Sequence, residues 1–511
     1  MATPTLTTDF TVISACDTTD DWTAGFLATD TSIYKENGTS LTATIRLSND
    51  DSTFTPVSAL DLTNTHLRMW FLCTWVGMMD IYSNGGVQYF VSDGSNTGYW
   101  NMLGSDNYDG GWVLLTIYTG FDVDSGTKPD MSAITSLGLL YNQTTAPKNV
   151  ANTWWDYFVY GDGYRVTGGT DSDLVTLNDI YTADASAGYG VLQKISGVYF
   201  VNGLMEFGDP DNSSDCYFGD TGETLVYTDA RIYDSLYDLV LYGGASTSTS
   251  FQFGAKVGDS GIQGLSLKSV GGQDYKVTVS GSNIDILKFY GTSFFGASDI
   301  LLPTVASGSV LNCSFEECGQ VVPQDYTMRN CNFINAIGYA LVLGELTNDV
   351  KDSAFITCSS GINITVSGTY EFDNITFDGC TYDIVNSSGG TVIIEALNGA
   401  NPQSYINLSG GSVSIENSVA VSIHVEDAIG NDISGARCFV SRTSDDYEVM
   451  NLLTDGSGDV TTNYNFSVDT SISVRVRKSS TGTRYVNFST LGTITEYGYA
   501  LSVILEEDIN I

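Results

Sequence analysis

Basic residues are scarce in this 511-residue chain: Lys and Arg number 20 against 60 Asp and Glu, a formal net charge of −40 at pH 7. Nucleic-acid binding rests on Lys and Arg displacing counterions from phosphates, so a nucleic-acid partner is not expected. Anionic membranes are poor partners for the same reason, and no uninterrupted apolar run reaches the length that a membrane helix needs. Histidine is nearly absent, with His66 and His424 far apart. That count argues against a Ser-His-Asp triad and against a multi-histidine metal site. No Gly-x-Ser-x-Gly elbow, no phosphate-binding Gly-x-x-x-x-Gly-Lys loop and no His-Glu-x-x-His occurs. The nine cysteines include no Cys-x-x-Cys pair, so zinc ribbons and dithiol redox sites lack their spacing, and reduced, buried thiols are expected. The first residues, Met1-Ala2-Thr3-Pro4-Thr5, show no basic region followed by an apolar stretch. No secretory signal is therefore expected, and synthesis in the cytoplasm is.

What is present is the chemistry of strands and turns. Thr, Ser, Asn, Val, Ile, Tyr and Phe are abundant, Gly numbers 54, and charged residues make up only 16%. Long helical periodicity is missing, so the chain reads as all-β. Its length exceeds what one core usually serves, and three zones separate by pattern.

The first zone, residues 1–168, contains alternating strands such as Leu41-Thr42-Ala43-Thr44-Ile45-Arg46-Leu47, and a strand apolar on both faces, Leu67-Arg68-Met69-Trp70-Phe71-Leu72-Cys73. Turns at Asp93-Gly94 and Asp109-Gly110-Gly111 supply positive φ. The zone holds every tryptophan: Trp22, Trp70, Trp75, Trp100, Trp112, Trp154 and Trp155. Aromatics of a sandwich usually fill its core, and Trp22, Trp75 and Trp112 read as core; of the seven, Trp100, beside Tyr99 and a Gly-Ser-Asn loop, is the least improbable sugar platform.

The second zone, 169–416, carries an internal repeat. Four segments align on Phe315, Phe333, Phe355 and Phe377, spaced 18, 22 and 22 residues apart. Cys318, Ala336, Cys358 and Cys380 occupy one repeat position and Asn312, Asn330, Asp352 and Asn374 another. Such periods made of short strands and Asn/Gly turns imply a solenoid, with Phe stacked on Phe, small residues stacked inside, and Asn or Asp in left-handed corners. Ile195–Val201 and Ile286–Gly291 fit as earlier coils. At about 22 residues per coil the zone holds roughly 11 coils, on the order of 50 Å of axis at strand spacing. Both ends need caps, which the flanking zones supply.

The third zone, 417–511, alternates as a β-sandwich: Val421, Ile423 and Val425 against Ser422, His424 and Glu426, and Ile472, Val474 and Val476 against Ser473, Arg475 and Arg477.

Three resemblances follow from these residues. The Asp21-Trp22 pair, the Gly38-Thr39-Ser40-Leu41 strand opening and the terminal Trp155-Asp156-Tyr157-Phe158-Val159 resemble a concanavalin-like or carbohydrate-binding-module jelly roll. The phenylalanine repeat resembles the right-handed parallel β-helix of phage tailspikes and pectate-lyase-like proteins. The run from Val425 to Val440, followed by Leu453-Thr454-Asp455-Gly456-Ser457-Gly458-Asp459-Val460, resembles the carboxypeptidase-regulatory or transthyretin-like Ig domain. Together they imply a tailed-bacteriophage appendage, a head fibre or capsid decoration, or a tail fibre or tailspike. The implied location is the virion surface, with other virion proteins and host surface polysaccharide as partners, and a homo-oligomer, such as a trimer, as the assembled form.

No catalytic residue and no cofactor-binding residue is assigned. Asp349, Asp352, Asp373 and Asp378, near Lys351 and Arg329, are the best acidic cluster for a polysaccharide depolymerase, which needs paired carboxylates or a base beside an acid. In a chain with 60 acidic residues, a solvated face is the simpler reading. Asp20-Asp21, Asp122-Val123-Asp124 and Asp209-Pro210-Asp211 offer oxygen ligands for structural calcium, without a full loop motif. A non-enzymatic structural or attachment protein is expected, with a depolymerase and a bacterial surface adhesin as the competing classes.

Overall fold

The computed structural model describes residues 2–508 apart from 46–49, 74–85, 104–110, 143–150, 210, 212–213, 220–221, 229–235, 245–247, 258–260, 271, 281–282, 467 and 480–481. Arg46, Leu47, Trp75, the Asp109-Gly110 turn and Pro210 thus lie outside the described residues. The described chain is all-β, with one short helix, and divides into two compact units, Met1–Ser298 and Asp299–Ile511.

Unit 1 opens with two antiparallel sheets. One orders Val113–Tyr118, His66–Cys73, Ala151–Tyr160, Ser40–Ile45 and Ala28–Asp30 side by side. The other runs through Thr97–Leu103, Gly86–Ser92, Ser136–Asn142, Asp50–Phe54 and Trp22–Ala24. The alternation of Leu41 and Ala43 with threonines buries the apolar side, and His66–Cys73, apolar on both faces, lies between two neighbours as a central strand. Trp22, Tyr89, Trp100, Trp155 and Phe158 fill the space between the sheets. Ala151–Tyr160 carries a register shift after Asp156, where Tyr157 adopts φ 48°. The bulge turns Asp156 into the interior.

After this sandwich, parallel pairing takes over. Gly163–Thr167, Leu204–Phe207, Leu239–Tyr242 and Tyr275–Ser280 form consecutive neighbours in one sheet, while Val198–Val201, Thr224–Tyr227, Ser266–Lys268 and Ser293–Phe295 do so in another. Ile284–Tyr290 pairs in parallel with Thr249–Phe253, as a coil requires. Ile195 departs from the expected pattern: it sits in an antiparallel hairpin, Leu192–Ile195 with Val198–Val201, turned by Ser196 and Gly197 at positive φ.

The helix Leu177–Ala187 is the element that the periodicity did not reveal. It begins in a capping box, with Thr176 and Asp179 bonding each other's backbone, and ends at Gly188 in the left-handed region.

Unit 2 lays one strand per circuit into each of three parallel sheets. The first holds Val321–Val322, Tyr339–Leu343, Ser360–Ile364, Tyr382–Asn386 and Tyr405–Asn407. The second holds Ser307–Leu311, Thr327–Arg329, Asp349–Lys351, Gly368–Asp373, Thr391–Leu397 and Ser412–Asp427. The third stacks the repeat itself: Ser314–Glu316, Asn332–Ile334, Ala354–Ile356 and Thr376–Asp378. The four phenylalanines are in direct register, with ring centroids 5.0, 4.7 and 5.1 Å apart and planes within 16° of parallel.

Two left-handed corners bracket each repeat strand. Asn312, Asn330, Asp352 and Asn374 have φ of 51° to 55°, and Glu317, Asn335, Thr357 and Gly379 occupy the second corner, also at positive φ. Asn and Asp tolerate this conformation because a short polar side chain can bond locally. Asn374 Nδ2 donates to Asp352 Oδ1 at 2.9 Å, linking one coil's corner to the next.

Ser412–Asp427 is shared by solenoid and sandwich. Its first half pairs in parallel with Thr391–Leu397, and its second half pairs with Asp459–Phe466 and Tyr499–Leu505. A second sheet, Glu448–Leu453, Arg437–Arg442, Thr470–Arg477 and Phe488–Ile494, packs on it. Val421, Ile423 and Val425 meet Cys438, Val440, Ile472, Val474 and Val476 in the core.

Candidate functional site

The six residues singled out in the repeat zone are not one cluster. Asp349, Lys351 and Asp373 lie on the outer face of unit 2's second sheet, where Arg329 is opposite Lys351 and Lys351 opposite Asp373. Asp352 turns the corner after that strand, and Asp378 ends a strand of the third sheet.

On the second sheet the charges are already matched. Arg329 Nη2 binds Asp349 Oδ1 at 2.6 Å. Lys351 Nζ sits 3.1 Å from Glu371 Oε1 and 3.2 Å from Asp373 Oδ2. The hydrogen bond from Asn398 and the contact with Lys351 hold the Asp373 carboxyl below the usual range, and the bonds to Glu371 and Asp373 raise the Lys351 ammonium. A glycosidase acid needs a carboxyl pushed the other way, so that it keeps its proton near neutral pH. A groove of about 330 Å³ lies here, lined in part by Leu346, Asn348, Lys351, Tyr370 and Glu371.

Farther along this face the matching stops. Glu371, Glu395 and Glu416 stand directly opposite one another on three neighbouring strands. Among the described residues, no cation lies within ion-pair distance of Glu395 or Glu416. Like charges directly opposite each other in a sheet oppose folding.

Unit 1 gathers its titratable groups in the interior. Asp156 Oδ2 accepts from the backbone N–H of Lys35 at 2.7 Å and of Glu36 at 2.8 Å, and burial pushes its carboxyl up to about 7. Asp184 accepts from the N–H of Gly190 at 2.6 Å and of Leu192 at 2.9 Å, and burial takes it to about 6. Arg68 is fully buried, and its guanidinium donates to the carbonyl of Asn202. His66 bridges Asp162, 2.7 Å from Nδ1, and Tyr237, whose hydroxyl is 2.8 Å from Nε2. Burial holds His66 below its ordinary value, so it is neutral at pH 7. A cavity of about 100 Å³ adjoins it, lined also by Leu114, Thr116, Tyr118 and Asn202. Perturbed carboxyls of this kind mark catalytic sites when they face a cleft. Asp156 and Asp184 line neither this cavity nor the openings beside Arg165 and Lys351, so they read as internal tethers, Asp156 holding the Lys35-Glu36 segment to the bulged strand and Asp184 holding the helix to the segment that follows it.

The remaining sequence candidates fall into place individually. Trp100 is buried and donates from Nε1 to the Asp122 carbonyl at 3.0 Å, so the tryptophan named as the least improbable sugar platform lies in the core. Trp22 is core and Trp112 half-buried. Asp124 accepts from the Asn101 N–H of a strand 23 residues earlier, and Asp209 from the Asp211 N–H in a turn. No described group of three or more His, Cys, Asp or Glu side chains is arranged to hold a metal ion. His424 is partly exposed between Asp459, at 2.9 Å, and Asp432, at 3.6 Å.

The nine cysteines are free, and eight are buried. Cys358 and Cys380 donate to the carbonyls of Phe333 and Phe355, one coil back. The ladder is thus a hydrogen-bonded packing device. Cys313 and Cys331, with Ser353 and Ile375, form a second inward column that the Phe alignment contains but that sequence reasoning did not single out.

A scan against protein-family models finds no match, and a search of the curated proteins finds none either.

Proposed function

We propose that this chain is a non-enzymatic structural and attachment protein of a virus-particle surface, of the kind tailed bacteriophages carry as fibres, spikes or capsid decorations. The observation that carries the reading is the strand Ser412–Asp427, shared between the solenoid and the end sandwich. A shared strand fixes the sandwich to the coil stack without a linker, which suits a part that must present a face and resist force. The stacked phenylalanines and buried thiols serve packing, and Asp349 and Asp373, the carboxylates that the second sheet brings beside the two cations, are neutralised by Arg329 and Lys351. The phage setting itself is carried by the resemblance of the three sequence patterns. A charge of −40 favours solubility at high local copy number.

Two measurements test this. Purified protein incubated with host surface polysaccharide is expected to leave its chain length unchanged while being retained on it saturably; progressive shortening establishes the depolymerase instead. Mass spectrometry of purified particles from the source is expected to find the chain as a stoichiometric component. Its absence from particles overturns the virion reading and favours a cell-surface adhesin.

A further inference from the structure

The C-terminal sandwich carries a charged patch of the opposite sign. On the sheet formed by Glu448–Leu453, Arg437–Arg442, Thr470–Arg477 and Phe488–Ile494, Val440, Val474 and Val476 point into the core. Strand alternation therefore turns Arg437, Phe439, Arg475 and Arg477 outward. Arg437 stands directly opposite Arg477, and Phe439 opposite Arg475. Among the described residues, no carboxylate lies within ion-pair distance of any of the three arginines; Arg437 donates to the Asn451 amide oxygen at 2.7 Å. Three unpaired guanidiniums on one face are conspicuous in a chain whose acidic residues outnumber its basic ones 60 to 20.

We infer that this arginine face docks on the Glu371–Glu395–Glu416 row of a second copy of the chain. Glu371, Glu395 and Glu416 repeat at one strand spacing across three strands, and Arg437 and Arg477 share that spacing across two, with Arg475 two residues from Arg477 along the same strand. Glu395 opposite Glu416, and Arg437 opposite Arg477, are like-charged pairs that oppose folding while alone, and each pair is relieved by the other. Guanidinium and carboxylate match bidentately, and Phe439 supplies an apolar centre between the arginines.

One copy cannot close the contact on itself. The arginine sheet packs on the inward side of Ser412–Asp427, the side of Val421, Ile423 and Val425. Glu416 is an even-numbered residue of that strand and points to the opposite side. The two faces of unit 2 thus look away from each other. A contact between different patches is head-to-tail, and it propagates into a ring or a row of copies. This surface assignment holds whether or not the chain belongs to a virus particle.

Sedimentation velocity of the full chain tests the inference by charge exchange. Wild type is expected to grow in mass with concentration. R475E/R477E and E395R/E416R are each expected to self-associate at least about tenfold more weakly. The decisive sample is their equimolar mixture. The first variant keeps the native glutamate row and the second the native arginine face, so their contact is intact in the mixture and association is expected to return. Restoration also proves that both variants are folded. Wild type that stays monomeric at its highest soluble concentration overturns the proposal. So does a mixture no heavier than its parts, or unchanged association in both variants. If wild type is monomeric yet an anionic polymer such as dextran sulfate binds it and not R475E/R477E, the arginine face serves an external polyanion and the inference fails.

Discussion

The rings of Phe333 and Phe355 lie 4.7 Å apart and 2° from parallel, in direct register on neighbouring strands of the third sheet. The separation is that of the strands themselves, so the backbone ladder and the side-chain stack share one repeat. Any residue change at this position is felt by the coil above and the coil below.

Phe355→Ala is expected to destabilise unit 2 by about 3–5 kcal/mol, through lost burial and the cavity left between two rings. Phe355→Leu should cost less, since it keeps most of the volume. The seven tryptophans all precede residue 156, so their fluorescence reports unit 1. In urea, the far-ultraviolet circular dichroism transition of Phe355→Ala should move to lower concentration while the tryptophan transition moves less. Equal movement of both would show that the two units unfold as one.

Thr357 has φ 52° in the second corner, where equivalent coils place Asn335 and Gly379. A β-branched residue is strained there, whereas Asn is tolerated and Gly is free. Thr357→Asn is expected to stabilise unit 2 by about 1 kcal/mol and Thr357→Val to weaken it. The urea midpoint of the same dichroism transition, at unchanged slope, reads both. A destabilised Thr357→Asn would mean that the exposed hydroxyl contact with Asn335 outweighs the strain relief.

The repeat was legible because each of its four aligned segments solves the same packing problem with the same residue: Phe inside, Asn or Asp at a corner, Cys or Ala in the narrow slot. The end sandwich was legible from alternation at Val421, Ile423 and Val425. The shared strand was not, because a parallel and an antiparallel neighbour impose the same alternation on Ser412–Asp427. The helix Leu177–Ala187 escaped because its buried face holds Leu177, Ile180 and the charged Asp184, which breaks apolar periodicity. Its capping box was there to be read in Thr176 and Asp179. The charge columns on the outer faces were hidden for a different reason. Glu371, Glu395 and Glu416 are 24 and 21 residues apart, and strand register alone brings them together.

Thr176→Ala tests that overlooked cap. The Thr176 hydroxyl accepts from the Asp179 N–H at 3.0 Å, and Asp179 Oδ2 accepts from the Thr176 N–H at 3.0 Å. Loss of the hydroxyl is expected to cost unit 1 about 1 kcal/mol, read by tryptophan fluorescence in urea, with Thr176→Ser close to wild type. A silent Thr176→Ala would show that the helix is held by packing alone.

Asp156 makes the stability of unit 1 depend on pH. Its folded carboxyl titrates at about 7 against an ordinary 3.8, because burial penalises the charge more than the Lys35 and Glu36 N–H groups favour it. The native state therefore holds a proton that the unfolded chain releases. Stability from this group is complete below the unfolded value and is lost as pH rises through about 7. Between pH 5 and pH 7 the decline from one such group approaches about 1.4 kcal/mol per pH unit. Asp184, raised to about 6 by burial, acts in the same direction, while His66, held low, acts oppositely and removes stability as pH falls below 6.5. Asp156→Asn keeps an oxygen for the two N–H donors and carries no charge, so its urea midpoint by tryptophan fluorescence should change less between pH 5 and pH 8 than that of wild type. The two proteins should differ most at pH 8, with the variant the more stable. If both profiles decline in parallel, the charge on Asp156 is compensated in the folded state, and Asp184 becomes the group to replace next.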